Sequence, residues 1–141
     1  MPEPQWLDRD LVDELHDQSL QVHGGLCGIR DVNVLEAAIA SPRNLFAYDG
    51  EDNLFCLAAH LLVSLAKAHP YSDGNKRIAI ISAVAFLGCN GIELSIKPGE
   101  LVPQTIRAAR CKEHERETEE DAISLWLKLS ARRTDAADSR S

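Results

Sequence analysis

The sequence of 141 residues lacks a long uninterrupted apolar run and an excess of positive charge. The longest apolar stretch, residues 54–66, is interrupted by His60 and Ser64 and is too short to span a membrane. The formal net charge of −7 argues against a nucleic-acid-binding surface, which normally carries a basic patch. We therefore expect a soluble protein that neither enters a membrane nor binds DNA directly.

Paired cysteines and a signal peptide are also missing. The four cysteines are far apart and form no Cys-x-x-Cys pair, which is typical of reduced thiols rather than of a disulfide framework. Two of them, Cys27 and Cys111, have a histidine nearby, as in half of a zinc site, but a free cysteine is more often a small buried apolar residue. The first ten residues lack the basic and apolar regions of a signal peptide. These features predict a cytoplasmic protein.

Apolar residues recur at helical spacing along most of the chain, which predicts an all-α fold. Asp8 and Asp31 are suitable N-caps for the first two helices, and Gly24–Gly25 should end the first. Two further helices are predicted to be buried, because their residues are apolar on nearly all sides. They cover residues 54–68 and residues 77–90, the second beginning at Arg77. Because few residues join these two helices, we expect them to pack as an antiparallel pair.

The regions on either side of this pair are predicted to be less regular. Residues 41–53 have turn residues at both ends and a short aromatic centre, which predicts a loop or a short β-hairpin. A fifth helix is predicted from Pro98 to about Cys111, and a sixth with Thr118 at its start.

No internal repeat or low-complexity linker divides the chain. We therefore predict one domain over residues 1–131, an all-α bundle of about six helices built around the buried antiparallel pair. The small polar residues 132–141 are predicted to form a disordered tail.

The stretch HPYSDGNKR, residues 69–77, places several charged side chains between the two buried helices. Burying charge is costly unless the charge is paired or used, so this cluster indicates a site held in place by the helix pair. His69 is the natural general base, because the pKa of histidine lies nearest neutral pH. Asp73 offers hard carboxylate oxygens suited to Mg²⁺, which binds through few carboxylates and through substrate phosphates.

The start of the fourth predicted helix adds an anion site. Gly74 and Asn75 place free backbone N–H groups there, and the helix dipole favours anions. Lys76 and Arg77 contribute a point charge and a bidentate fork, and both are good phosphate partners. A base, a metal ligand and an anion site within nine residues are what phosphoryl or nucleotidyl transfer to a hydroxyl requires.

Each of these residues also has a structural interpretation. Taken alone, His69 could cap the C-terminus of a helix and Asp73 could be an N-cap. Lys76 and Arg77 could form a solvated first turn, although cations there oppose the helix dipole unless an anion is bound.

Three other residues are interpreted as structural. Tyr71 is expected to anchor the loop in the core. His16 and His60 lie in helical patterns without partners at a useful spacing.

The stretch from His69 to Arg77 resembles the signature of the Fic/Doc family, in the HxFxDxNKR form of Doc-like toxins. The similarity extends upstream to HGGLCGIRDVNVLEAAIASPRNLFAY and downstream to FLGCNGIEL, and covers roughly residues 7–128. The resemblance implies a Fic-type helical bundle and a transferase that uses ATP and Mg²⁺. Most members of the family transfer a nucleotide monophosphate, whereas Doc-like members, with a lysine at the position of Lys76, transfer the γ-phosphate.

The resemblance also implies a role for each matching residue. His69 would deprotonate the hydroxyl of a target protein, and Asp73 would hold Mg²⁺. The phosphates would be held by Gly74, Asn75, Lys76 and Arg77. Residues 41–53 would form a flap that docks the target peptide as an added strand. The candidate contacts of this flap are Leu45, Phe46 and Tyr48.

The implied protein is a Ser/Thr kinase toxin that inhibits translation, and the implied target is elongation factor Tu. The implied partner is a Phd-like antitoxin, whose C-terminal helix lies in a groove of the toxin. The family's self-inhibitory pattern, Ser or Thr four residues before a glutamate, does not occur in the sequence. Two alternatives stay open, namely transfer of AMP to a protein hydroxyl and a catalytically silent binding module. Tyr71 and Ile78 depart from the phenylalanine and threonine that are usual in the family.

Overall fold

Six α-helices, two short 3₁₀ turns and one short antiparallel strand pair form the regular structure of the computed structural model, which describes residues 3–95 and 97–133. The elements are α1 (Arg9–His23), α2 (Val32–Asp49), α3 (Leu54–Ala68), α4 (Asn75–Cys89), β1 (Ile92–Leu94), α5 (Val102–Arg110), α6 (Arg116–Ser130) and β2 (Ala131–Arg133). None of the helices found in these residues has the length and apolar character needed to cross a membrane. The predicted all-α fold with about six helices is confirmed.

Helices α3 and α4 form the centre of the core. Helix α3 contacts α2, α4, α5 and α6, and its residues 61–66 are buried without interruption. Helix α4 buries Ile78, Phe86 and Leu87 against its neighbours. Residues 69–74 turn the chain back between the two helices, so this loop emerges at one end of the best-packed region.

The first two helices begin at the predicted caps. Asp8 accepts a hydrogen bond from the Leu11 N–H at 2.9 Å, and Asp31 accepts one from the Val34 N–H at 3.1 Å. Each bond satisfies one of the N–H groups that a helix start leaves without a partner. Helix α1 ends at Gly24, whose φ of 75° suits glycine.

The prediction of a loop or hairpin over residues 41–53 is wrong for most of that segment. Helix α2 continues to Asp49 and contains Pro42. Proline has no N–H to donate to the carbonyl four residues earlier, that of Ala38. The Ser41 hydroxyl donates to this carbonyl at 2.8 Å and so replaces the missing hydrogen bond.

The three predicted flap residues therefore lie on a helix and not on an open flap: Leu45, Phe46 and Tyr48. Phe46 packs edge-to-face against Trp6, with ring centroids 5.6 Å apart. Leu45 is partly buried against the core, and Tyr48 is exposed. Since the backbone at all three positions is committed to helical hydrogen bonds, these residues do not form the open strand edge on which the predicted docking depends.

The segment after α4 and the predicted tail pair with each other. Strand β1 lies antiparallel to β2, with Glu93 opposite Arg132 and Ile92 opposite Arg133. Arg132 and Arg133 are therefore ordered in a strand rather than part of the predicted tail. The rest of that predicted tail, residues 134–141, lies outside the described residues. Strands of three residues are too short to show an alternating pattern in the sequence.

Helix α6 begins two residues before its predicted start. It starts at Arg116, so Thr118 lies inside its first turn and is not a cap. The turn before it is closed by Glu115, whose carboxylate accepts the Lys112 N–H at 2.7 Å. The N-cap position of α6 is Glu115, whose side chain makes no capping hydrogen bond to the helix itself.

Candidate active site

The loop after α3 and the first turn of α4 line a pocket of about 330 Å³. Its walls are formed by His69, Ser72, Asp73, Gly74, Asn75, Lys76 and Arg77. Six of these seven residues were predicted as site residues from the sequence, and Ser72 was not. The structure therefore brings the predicted base, carboxylate and anion-binding residues to one cavity.

His69 ends α3 in a left-handed conformation, with φ of 48° and ψ of 56°. It is the one residue other than glycine with a positive φ in the part of the chain that the structure describes. This conformation costs about 1–2 kcal/mol in a residue with a Cβ, so its surroundings must hold it. The His69 N–H donates to the Leu65 carbonyl at 3.3 Å, as a C-cap does. The imidazole itself is exposed on the pocket wall, and the described residues offer it no hydrogen-bond partner.

Residues 24–31, which we call the strap, connect α1 to α2 and run beside the loop after α3. Ile29 and Tyr71 form an isolated antiparallel bridge between the two segments. The Ser72 N–H donates to the Gly28 carbonyl at 3.0 Å. The strap thus pairs with the loop through its backbone.

Arg30 of the strap holds the end of α3. Its Nε donates to the His69 carbonyl at 2.7 Å and its Nη2 to the Ala68 carbonyl at 2.9 Å. The Arg30 backbone N–H donates to the Pro70 carbonyl at 2.7 Å. The two side-chain bonds satisfy carbonyls that the end of a helix leaves without partners, and the third bond ties the strap to the loop.

The carboxylate of Asp73 is oriented by two backbone N–H groups. Oδ2 accepts from Leu26 of the strap at 3.1 Å, and Oδ1 accepts from Gly74 at 2.9 Å. These bonds, followed by the nearby charge of Arg77, lower the pKa of Asp73, so the group is ionised at neutral pH. Gly74, and not Asp73, is the N-cap of α4. Asp73 is therefore an oriented anion with lone pairs left for a cation.

The start of α4 presents N–H groups without acceptors. The cap residue Gly74 makes no side-chain hydrogen bond, and the described residues provide no acceptor for the N–H groups of Asn75, Lys76 and Arg77. The side-chain amide of Asn75 is bonded to the backbone of Tyr71. Its Oδ1 accepts from the Tyr71 N–H and its Nδ2 donates to the Tyr71 carbonyl, both at 2.9 Å. Asn75 can therefore meet an anion through its backbone N–H, while its side chain holds the loop.

Two cationic side chains complete the pocket. Arg77 donates from Nη2 to the Gly24 carbonyl at 3.2 Å, but its buried Nε has no partner among the described residues. A buried donor without a partner is rare and calls for an explanation such as a bound ion. Lys76 is exposed on the same wall and makes no ion pair in the part of the chain described. This donor set fits the phosphates of a nucleotide.

Tyr71 anchors the loop in the core, as predicted. Its ring is buried and stacks on His16, with centroids 3.7 Å apart, and its hydroxyl donates to Asp13 at 2.6 Å. Burial and the contact with Asp13 raise the pKa of Tyr71, which keeps the hydroxyl a neutral donor. The Nε2 of His16 donates to the Asp73 carbonyl at 2.8 Å. The prediction that His16 has no useful partner is therefore wrong.

A second polar cluster lies in the middle of α3, where it faces α6. The Nδ1 of His60 is 2.9 Å from Glu120 Oε1, and Arg116 Nε donates to Glu120 Oε2 at 2.6 Å. Arg116 Nη2 donates to the Ser64 hydroxyl at 2.7 Å. Burial raises the pKa of Glu120, but the bonds from His60 and Arg116 outweigh it and lower the pKa overall. The prediction that His60 has no useful partner is therefore wrong as well, since Glu120 holds it within this cluster.

The cysteines do not form a metal site within the described residues. All four are free, with Cys27 exposed and Cys111 partly buried. No group of three or more suitable side chains could hold a metal in residues 3–95 and 97–133. A cation at the pocket would therefore depend on Asp73 together with ligands from a substrate.

Comparisons with a family model and with known proteins all identify the same family. A sequence model of the Fic/DOC family matches residues 6–87, a range that contains the strap and the pocket residues. The chain is 39% identical over 95 residues to protein kinase doc of Escherichia phage P1, covering 67% of this chain and 75% of that protein. It is 40% identical over 92 residues to toxin Doc of Mycolicibacterium smegmatis, covering 64% and 68% respectively.

Proposed function

Because the chain belongs to the Fic/DOC family, we propose that it is a Doc-like toxin that transfers the γ-phosphoryl group of ATP to a serine or threonine hydroxyl of a target protein. The observation that carries this proposal is the pocket at the end of α3. An exposed imidazole, an oriented carboxylate and several anion donors line it, and the imidazole and most of the donors have no partner among the described residues.

In this proposal His69 acts as the general base. Its imidazole accepts the proton of the target hydroxyl as the hydroxyl oxygen attacks the γ-phosphorus. The bond between that phosphorus and the bridging oxygen breaks, and a nucleoside diphosphate leaves. The backbone N–H groups at the start of α4, with Lys76 and Arg77, bind the phosphates and stabilise the charge that develops on them.

Asp73 would hold Mg²⁺ at this pocket. Its carboxylate is ionised and oriented, and Mg²⁺ is commonly bound by one or two carboxylates completed by phosphates and water. When bound, the ion neutralises negative charge on the phosphates. The single carboxylate in the pocket fits that mode of binding.

The relatives support the biological role in this proposal. One of them is named a protein kinase and the other a toxin. We propose accordingly that the chain acts in the cytoplasm, inhibits translation by phosphorylating a protein such as elongation factor Tu, and is neutralised by a Phd-like antitoxin whose C-terminal helix occupies a groove on this chain.

The test is incubation of the purified protein with Mg²⁺, a bacterial cell extract and ATP labelled at either the α- or the γ-phosphate. We expect γ-label on protein and no α-label, and we expect His69→Ala to remove the γ-label. Transfer of the α-label would instead show nucleotidyl transfer. Absence of both labels, with equal toxicity of the wild type and His69→Ala in growing cells, would identify a silent binding module.

A further inference from the structure

The strap contacts both chemically important residues of the loop. At one end Arg30 donates two side-chain hydrogen bonds to the last carbonyls of α3, including that of His69. At the other end the Leu26 N–H donates to the carboxylate of Asp73. One short segment therefore touches the residue proposed as base and the residue proposed as metal ligand.

We infer that Arg30 is a positioning residue, which sets the direction of the His69 imidazole by holding the left-handed turn at the end of α3. The φ and ψ angles of a residue fix where its Cα–Cβ bond points, so relaxation of His69 from φ 48° would swing its ring away from the pocket. This inference rests on the proposed function, because it concerns the geometry of the same base.

The side-chain hydrogen bonds of Arg30 are confined to the turn that carries His69. The residue is exposed and belongs to no core cluster, and it forms no ion pair within the described residues. Its Nε and Nη2 are used entirely on carbonyls of the turn that carries His69. The effect of Arg30 is therefore local to the turn, and a guanidinium fork matches two neighbouring carbonyls in a way that an ammonium cannot.

The other end of the strap has a comparable constraint at Gly25. A Cβ on Gly25 would lie 2.9 Å from Oδ2 of Asp73, and the φ of 124° is also unfavourable for other residues. Gly50, at the end of α2, has a φ of 73° but open space around the same position. Gly25→Ala and Gly50→Ala thus share backbone strain, and only the first should displace the Asp73 carboxylate.

The experiment measures transfer of γ-label from ATP to protein of a bacterial extract, as initial rates against ATP concentration. We compare Arg30→Gln and Arg30→Lys with Arg43→Gln, which removes an exposed arginine that pairs only weakly with Glu3, at 3.8 Å. We expect apparent kcat to fall by about 10- to 100-fold in Arg30→Gln, as for a small displacement of a catalytic group. Apparent KM for ATP should stay near the wild-type value, since the phosphate donors belong to α4.

Arg30→Lys should lose less activity, because one ammonium can still reach one of the two carbonyls. Amide NMR signals of residues 68, 69 and 71–74 should shift in both Arg30 variants, and Arg43→Gln should match the wild type in rate and spectrum. If Arg30→Gln does not fold, the kcat and the NMR shifts of Arg30→Lys provide the test. A wild-type kcat in a folded Arg30 variant, or a rise in KM alone, would overturn the inference.

The glycine pair tests the other end of the strap. Gly25→Ala should raise the Mg²⁺ concentration needed for half-maximal transfer, whereas Gly50→Ala should not. Equal Mg²⁺ dependence in the two variants would show that the strap does not set the Asp73 carboxylate. Failure of the proposed function is distinguishable, because the wild type would then transfer no γ-label while the NMR shifts still report on the turn.

Discussion

Two clusters lie along α3, one at its middle and one at its C-terminal end, and each combines a histidine, a carboxylate and an arginine. The two clusters differ in how these polar groups are paired. In the middle of the helix His60, Glu120 and Arg116 bond to one another and to Ser64, and the Glu120 side chain is only 17% exposed. At the end of the helix, the loop contributes His69 and Asp73, and α4 contributes Arg77. There the imidazole and the buried Arg77 Nε lack partners within the described residues.

The difference shows that histidine, carboxylate and arginine together do not identify a site. A cluster whose groups satisfy one another contributes to stability and has little capacity left for a substrate. A cluster with free donors and a strained residue is costly to the fold, and such local exceptions are expected at functional sites. The comparison can be tested by making the same change in each cluster.

The largest contrast is expected between the two histidines. His69→Ala should reduce the rate of γ-label transfer by about 10²- to 10⁴-fold, the usual contribution of a general base, with little change in thermal stability. His60→Ala should keep most of the activity and lower the unfolding temperature, because it leaves Glu120 without one partner. Equal loss of activity in the two folded variants would remove the distinction.

The two arginines should differ in phosphate binding. Arg77→Gln removes a charged donor from the pocket and should weaken binding of inorganic tripolyphosphate by about 10- to 100-fold, as expected for a charge-assisted hydrogen bond. Arg116→Gln should leave that affinity unchanged, because Arg116 is occupied by Glu120 and Ser64. Isothermal titration calorimetry measures both. Wild-type affinity in Arg77→Gln would contradict an anion site at this helix end.

The two carboxylates should differ in their effect on stability. Glu120→Gln weakens bonds to two cationic partners and should lower the free energy of unfolding by about 1–3 kcal/mol. Asp73→Asn should change it less, because Asp73 lies at an open pocket. Urea denaturation at neutral pH compares the two. A larger loss in Asp73→Asn would reverse the assignment of structural and functional clusters.

The structural cluster also predicts a dependence of stability on acid. The pKa of Glu120 is lower in the folded protein than its ordinary value of 4.5. Its contribution is therefore fully present above pH 4.5 and is lost as the pH falls through the lowered folded pKa. Urea denaturation at a series of pH values from neutral to acidic should show this loss in the wild type. In Glu120→Gln the free energy of unfolding should change less with pH. The same pH dependence of the unfolding free energy in both proteins would show that Glu120 is not stabilised as an anion.

The smallest effect is expected at Tyr71, which lies beside the cluster at the end of α3 but whose hydroxyl and ring both have partners. Tyr71→Phe removes one hydrogen bond, to Asp13, and should cost about 1 kcal/mol of unfolding free energy, since Asp13 can be hydrated instead. The stacking on His16 should persist, so transfer activity should stay close to that of the wild type. A large loss of activity in a Tyr71→Phe variant whose unfolding free energy is close to that of the wild type would give the hydroxyl a role beyond anchoring.

The sequence predicts the buried helices well and helix α2 poorly, for physical reasons. Apolar residues on all faces identify α3 directly, since only a buried helix tolerates them. Pro42 normally signals a helix end, and its accommodation depends on the neighbouring Ser41 hydroxyl replacing one backbone bond. That replacement follows from side-chain geometry, which a pattern of residue types does not contain.

The pocket was predictable because its residues are contiguous, whereas the strap was not. His69 and Asp73 are close in sequence, so their chemistry can be read from one stretch. Arg30 is 39 residues from His69 and binds a backbone carbonyl, an acceptor that every residue has. His16 likewise meets Asp73 through a carbonyl, from 57 residues away. Contacts of this kind leave no residue-specific signal in a single sequence.

The most direct test of the functional cluster is mass spectrometry of cellular proteins after induction of the wild type, His69→Ala and His60→Ala. We expect a phosphate on a serine or threonine of a cellular protein with the wild type and with His60→Ala, and its absence with His69→Ala. An added nucleotide in place of phosphate would contradict the assignment of γ-phosphoryl transfer. The same modification with His69→Ala would contradict the assignment of the pocket as the catalytic site.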